Sequence, residues 1–125
     1  MDLNRFDTRQ KASAGVTVPL EIDGETRYGD DDQPITFTIK GMADEAVHAL
    51  ILKSRKAEQR TPKEVIEDDL KLARAAVTGW SGNFEVEGEK LPFARENIAK
   101  VFANPTVRRA VLAKVFDESV FMNGA

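Results

Sequence analysis

Three places in this 125-residue chain hold side chains that could do chemistry: the run Asp30-Asp31-Asp32, the single histidine His48, and the carboxylates Glu67, Asp68 and Asp69. Aspartates in a row invite a metal ion. Calcium loops, however, set their acidic ligands on alternate positions, carry a mid-loop glycine and close with a distal glutamate. Asp30 to Asp32 instead run straight into Gln33-Pro34, so the run reads as a solvated turn. His48 has the right pKa for acid–base work, but there is no second histidine, no cysteine and no serine geometry to pair with it. It reads as an exposed or half-buried helix residue. Glu67, Asp68 and Asp69 fall early in a helical pattern, where carboxylates favour the helix dipole. A catalytic pair would need a cleft and a perturbed pKa that spacing does not supply. With no phosphate-cradling glycine motif, no activated nucleophile and no metal-ligand spacing, the expectation is a non-catalytic protein with no cofactor and no metal.

The bulk properties narrow the class. The length suits one domain able to bury a core without staples. A net charge of −3 argues against a nucleic-acid binder that relies on a general electrostatic footprint. The absence of cysteine suits a reducing compartment. Asp2 with no apolar run behind it does not look like a signal peptide, and no window approaches a membrane span. The expectation is a soluble intracellular domain without nucleic-acid or membrane partners. Residues 1–15 read as a flexible arm or a weakly docked short helix, and residues 16–125 as a single α+β domain.

Within that domain, Val16, Val18, Leu20 and Ile22 alternate with polar residues and Pro19, which predicts an edge strand. Asp23-Gly24 is a turn signal, with Glu25 to Tyr28 as a short return strand. Ile35, Phe37 and Ile39 alternate with Thr36, Thr38 and Lys40 in the clearest strand, expected to pair antiparallel with Val16–Ile22. A helix beginning near Met42 to Asp44 carries Ala43, Ala46, Val47, Leu50, Ser54 and Ala57 on one stripe, widened by Ile51. Its second half is basic through Lys53, Arg55, Lys56 and Arg60, with Glu58 among them, as the helix dipole favours. Thr61-Pro62-Lys63-Glu64 is a capping box opening a helix with the stripe Ile66, Leu70, Ala73 and Val77, supported by Val65, Leu72 and Ala76, which Gly79 should end. Ile98, Val101 and Phe102 predict a third helix. Asn104-Pro105 caps a fourth bearing Val107, Val111, Leu112, Val115 and Phe116, continued by Val120, Phe121 and Met122 and stopped by Asn123-Gly124. The fold class is thus α+β: a small N-terminal antiparallel sheet followed by a mostly helical bundle of about four helices.

Between the second and third helical patterns lies a loop holding the only tryptophan, Trp80, with Phe84 and Phe93. A loop this apolar either closes the core or presents a surface to a partner. Trp80 is expected to be buried on the helix of Ile66, Leu70, Ala73 and Val77. Phe84-Glu85-Val86 and Gly88 suggest a hairpin. Phe93 after Pro92 fits a hydrophobic staple onto Ile98 and Phe102, with a contact surface as the other reading. The candidate partner-binding side chains are Phe84, Leu91, Phe93 and Phe121.

Taken together, Gly79-Trp80-Ser81-Gly82, Gly88-Glu89-Lys90-Leu91-Pro92-Phe93, Glu96-Asn97, Asn104-Pro105 and a closing Phe121 resemble the tail assembly chaperones of long-tailed bacteriophages. Pro34 to Gly41 leading into a helix is similar too, so the resemblance spans residues 16 to 122. Met42-Ala43-Asp44 departs from it, where an Asp-Ser type cap is expected. The resemblance implies a non-catalytic protein that keeps the tape measure protein soluble and recruits the tail tube protein. It also implies work in the host cytoplasm, absence from the mature virion and, in many relatives, a longer form made by ribosomal frameshift. A homo-oligomer is compatible with it. The alternatives are a small structural tail or connector subunit of the virion, and an unrelated small enzyme or regulatory domain built around His48.

Overall fold

The computed structural model describes residues 3–56 and 60–122. Its elements follow in chain order. A 3-10 turn, Leu3–Phe6, precedes helix α1 (Arg9–Ala14). Strand β1 (Val16–Pro19) leads to a two-strand hairpin, β2 (Glu21–Ile22) and β3 (Glu25–Thr26), and then to β4 (Thr36–Ile39). Helices α2 (Glu45–Lys56) and α3 (Pro62–Ala76) come next, then strand β5 (Val77–Trp80) and a second small hairpin, β6 (Glu85–Val86) and β7 (Glu89–Lys90). The chain closes with α4 (Ile98–Phe102), α5 (Pro105–Val115) and a 3-10 turn, Glu118–Phe121. The fold is α+β, with a small antiparallel sheet beside a helical bundle. Ala57, Glu58, Asn123 and Gly124, given roles from the sequence, lie outside the described residues.

The main sheet has the order β1-β4-β5, all antiparallel. Val16 pairs with Ile39 and Val18 with Phe37, while the expected strand Val16–Ile22 pairs with β4 only as far as Pro19, its end Glu21–Ile22 pairing with β3 instead. Pro19 sits on the edge strand β1, where a missing N–H costs least. Both small hairpins turn through Xaa-Gly pairs with positive φ at both positions: Asp23 (56°) and Gly24 (78°), then Glu87 (54°) and Gly88 (81°). Those values fit the primed turns that match strand twist.

The third strand corrects the sequence reading in three respects. Val77 is not the last residue of a helical stripe, Gly79 does not end the helix, and Trp80 is not in a loop: all three belong to β5. Helix α3 ends at Ala76, where Val77 turns extended (φ −85°, ψ 119°) with its N–H still donating to Ala73 O. Two β-branched residues at positions 77 and 78 then favour continuing as a strand. Lys40 N donates to Ala76 O at 2.7 Å, fixing that switch to the end of β4.

The helix caps follow the sequence closely. The Thr61/Glu64 box forms in both directions. Asn104 Oδ1 accepts from the N–H groups of Thr106 and Val107. Asp44 takes the cap of α2, its carboxylate accepting from Val47 N at 3.2 Å, so the departure at Met42-Ala43-Asp44 leaves the helix start capped.

Residues 9–14 form a helix set on the body rather than a loose arm. Ala12 is fully buried and its carbonyl accepts from Gly41 N, while Lys11 Nζ donates to the Met122 carbonyl at 3.0 Å. The core is shared by sheet and helices: Phe37, Ile39, Val47, Ile98, Val101, Phe102, Val115 and Phe121 are all buried to within 2%. On α3 the buried residues are Leu72, Ala73 and Ala76, all three expected from the sequence, whereas Ile66 is 41% and Val65 44% exposed. The expected stripe is therefore rotated toward Leu72, because α3 packs on α2, α4 and α5 at once. No helix among the described residues is long and apolar enough to cross a membrane.

Candidate partner groove

The four side chains picked from the sequence as partner contacts separate into two pairs. Phe84 is 5% exposed and Phe121 1% exposed, so both are core residues with almost no area to offer a partner. Phe84 meets Phe37 edge-on at 5.6 Å between ring centres and lies 5.8 Å from Trp80. Phe121 packs on Gly41. Leu91 and Phe93 are half-buried against the core.

Trp80 organises this corner, though not as expected. As a β5 residue paired with Phe37, it joins a cluster with Phe37, Phe84 and Phe93. Its indole N–H donates to Leu91 O at 2.8 Å, satisfying the polar edge that a half-buried tryptophan must place somewhere. Phe93 meets Trp80 edge-on at 4.8 Å. The four rings thus pack on one another.

The other chemistry-bearing residues resolve simply. Asp30, Asp31 and Asp32 are exposed. Asp31 Oδ1 accepts from Asn83 Nδ2 (3.0 Å) and Gln33 N (3.1 Å), and those two bonds hold its carboxyl below the usual carboxylate range. The run is a latch between two loops. His48 is exposed on α2 and lines neither the cleft beside Asp31 and Asn83 nor the one between α2 and α3. Among the described residues, no group of three or more His, Asp or Glu is placed to hold a metal ion.

A better candidate lies between α2, α3 and the end of α5. There the surface opens into a groove of about 410 Å³, within the range of about 300–1,000 Å³ usual for binding sites. Its floor is apolar: Leu50 and Ile51 from α2, Leu72 from α3, and Phe116 just past α5. Phe116 is 44% exposed, large for a phenylalanine that the sequence assigns to a core face. The α2 wall carries Lys53 and Arg55, and the α3 wall carries Glu64, Glu67, Asp68 and Asp69 with Lys71 beside them.

Two ion pairs brace the acidic wall. Arg60 bonds Asp68 directly. Arg108, 9% exposed on α5, points its Nε toward Asp69 at 3.7 Å and donates from Nη1 to Phe102 O at 2.8 Å. Burial pushes the Asp69 carboxyl up, with Arg108 opposing the shift.

The sequence held a signal for this groove. The basic end of α2 and the acidic start of α3 are each explained by the helix dipole alone. What the linear reading misses is that two successive helices with opposite charge at facing ends make a two-signed cleft. No family model matches the chain, and neither a curated protein nor a solved structure matches it.

Proposed function

We propose that this chain is a non-catalytic tail assembly chaperone of a long-tailed bacteriophage, which binds the tape measure protein and recruits the tail tube protein in the host cytoplasm. One structural observation supports the reading beyond the sequence resemblance: the groove between α2 and α3, with an apolar floor and walls of opposite charge. A helix laid in such a groove buries its apolar stripe on Leu50, Leu72 and Phe116 and sets its polar flanks against the two walls. Tape measure proteins, being long, helical and partly apolar, offer such stripes repeatedly.

Co-expression with the neighbouring long helical phage protein, followed by co-purification, tests the reading. The expected result is a soluble complex that Phe116→Ser with Glu67→Lys abolishes. Both side chains are exposed, so the fold should be unaffected. Failure of the wild-type pair to co-purify overturns the proposal. Purified particles test the alternative of a virion subunit, which would be present at fixed stoichiometry, whereas a chaperone is absent.

A further inference from the structure

Counted by residue type, the groove between α2 and α3 has a basic wall and an acidic wall. Counted by the charge still unpaired, the two walls differ in another way. On α3, Asp68 is engaged by Arg60 and Asp69 faces Arg108 of α5. The Glu64 carboxylate accepts from Thr61 N in the capping box, at the positive end of its own helix. Glu67 is exposed and makes no ion pair among the described residues. Lys71, one helical turn further on, is also exposed and also unpaired. The α3 wall therefore offers one charge of each sign.

The α2 wall has no such balance. Lys53 and Arg55 both line the groove, both are exposed, and neither has an acidic partner among the described residues. The negative end of α2 offsets roughly half a unit of their joint charge. Between the walls, half-buried Leu50 and exposed Phe116 leave apolar area for a ligand to cover. An occupant thus meets an apolar floor with a cationic edge on one side and an edge of mixed sign on the other.

We infer that the groove selects an amphipathic helix with one acidic edge, its carboxylates facing Lys53 and Arg55 while its other edge sets a cation opposite Glu67. Charge of one sign on one wall also fixes direction. Turned end for end with its apolar face still down, the same helix would carry its acidic edge to α3 and lose both cations. Complementary charge of this kind chooses among helices that would fill the floor equally well. The inference rests on the proposed reading only in taking a partner helix as the occupant.

Fluorescence anisotropy with the purified chain and synthetic helices tests it. Three labelled peptides of about 18 residues, roughly 27 Å of helix, share one leucine stripe. They carry glutamate, glutamine or lysine along one edge, and a lysine and a glutamate one turn apart on the other. The glutamate-edged peptide should bind at least about tenfold tighter than the lysine-edged one, with glutamine between them. The gap should narrow in about 1 M salt, where screening leaves a range of only about 3 Å. Lys53→Glu with Arg55→Glu should reverse the order, and Phe116→Ser should weaken all three peptides. These positions are exposed, and an unchanged melting temperature in each variant checks the fold.

Equal affinities overturn the inference, as does a preference that survives reversal of the two cations or the absence of binding by any peptide. Binding that Phe116→Ser leaves unchanged places the peptides outside the groove and also overturns it. Phosphatidylglycerol vesicles that displace the glutamate-edged peptide would make the occupant a lipid surface, with the same consequence. Co-purification reports separately. A phage partner retained by a chain without edge preference keeps the chaperone reading and removes this inference, whereas a selective chain that retains no phage partner does the opposite.

Discussion

The ring of Phe121 fills the space where a side chain on Gly41 would begin. A Cβ at position 41 would lie 2.7 Å from Phe121 Cε2 and 2.8 Å from Cδ2, closer than carbon atoms approach without displacement. Gly41 lies in the short connection between β4 and α2, and its N–H donates to Ala12 O. The pair therefore joins the end of the chain to the sheet and to α1. Gly41→Ala should cost about 1–3 kcal/mol, the usual range for overpacking a filled site. Phe121→Ala should cost about 3–5 kcal/mol. In the double variant the alanine methyl enters space that the ring has vacated, so the two costs should sum to less than additivity predicts. Urea unfolding of all three variants checks this, and full additivity would contradict the contact.

Trp80→Ala should cost about 3 kcal/mol, the low end for a large aromatic because the side chain is only half-buried. Trp80→Phe tests the indole bond separately: it keeps most of the ring area but leaves Leu91 O without its donor. An added cost of about 0.5–1.5 kcal/mol is expected for that hydrogen bond. Equal stability of Trp80→Phe and wild type would mean that the bond contributes nothing.

Phe84→Ala should behave as a core truncation, losing about 3–5 kcal/mol and affecting any partner only through unfolding. Phe93→Ala, half-buried with its ring edge-on to Trp80, should lose less. Comparing melting temperature with co-purification on the same two variants checks the assignment. A Phe84→Ala protein that melts like wild type but fails to co-purify would return Phe84 to the surface.

The Asp69–Arg108 pair predicts a pH signature. Burial raises the folded-state pKa of Asp69, so the folded chain takes up that proton at higher pH than the unfolded chain does. A raised acid disfavours folding when ionised, and the penalty is relieved as pH falls through the folded pKa. Arg108→Met removes the opposing cation and the bond to Phe102 O, and should cost about 1–3 kcal/mol near neutral pH. The deficit should then shrink as pH drops toward about 4, near the unfolded carboxylate value. Urea midpoints of wild type and variant at both pH values check this. A deficit that stays constant or grows on acidification would remove Asp69 as the cause.

Much of this structure is local, and the local parts were legible in the sequence. The capping box at Thr61, the Asn104 cap, the Asp23-Gly24 turn, the antiparallel pairing of β1 with β4 and the exposed His48 depend on neighbours a few residues away or on period-two alternation. Residue chemistry settles such features directly. Tertiary structure decided the rest. Val77 to Trp80 look like a helix end and a loop, but pairing with Phe37 and Ile39 makes them a strand, since sheet hydrogen bonds come from residues about forty positions away. That pairing also put Trp80 and Phe84 on the sheet's aromatic cluster and took Phe84 off the surface predicted for it. The groove has the same origin. The basic end of α2 and the acidic start of α3 are present in the composition, but only packing sets them across an apolar floor that ends in Phe116. Helix periodicity fixes which residues share a face, whereas what that face meets depends on the other helices.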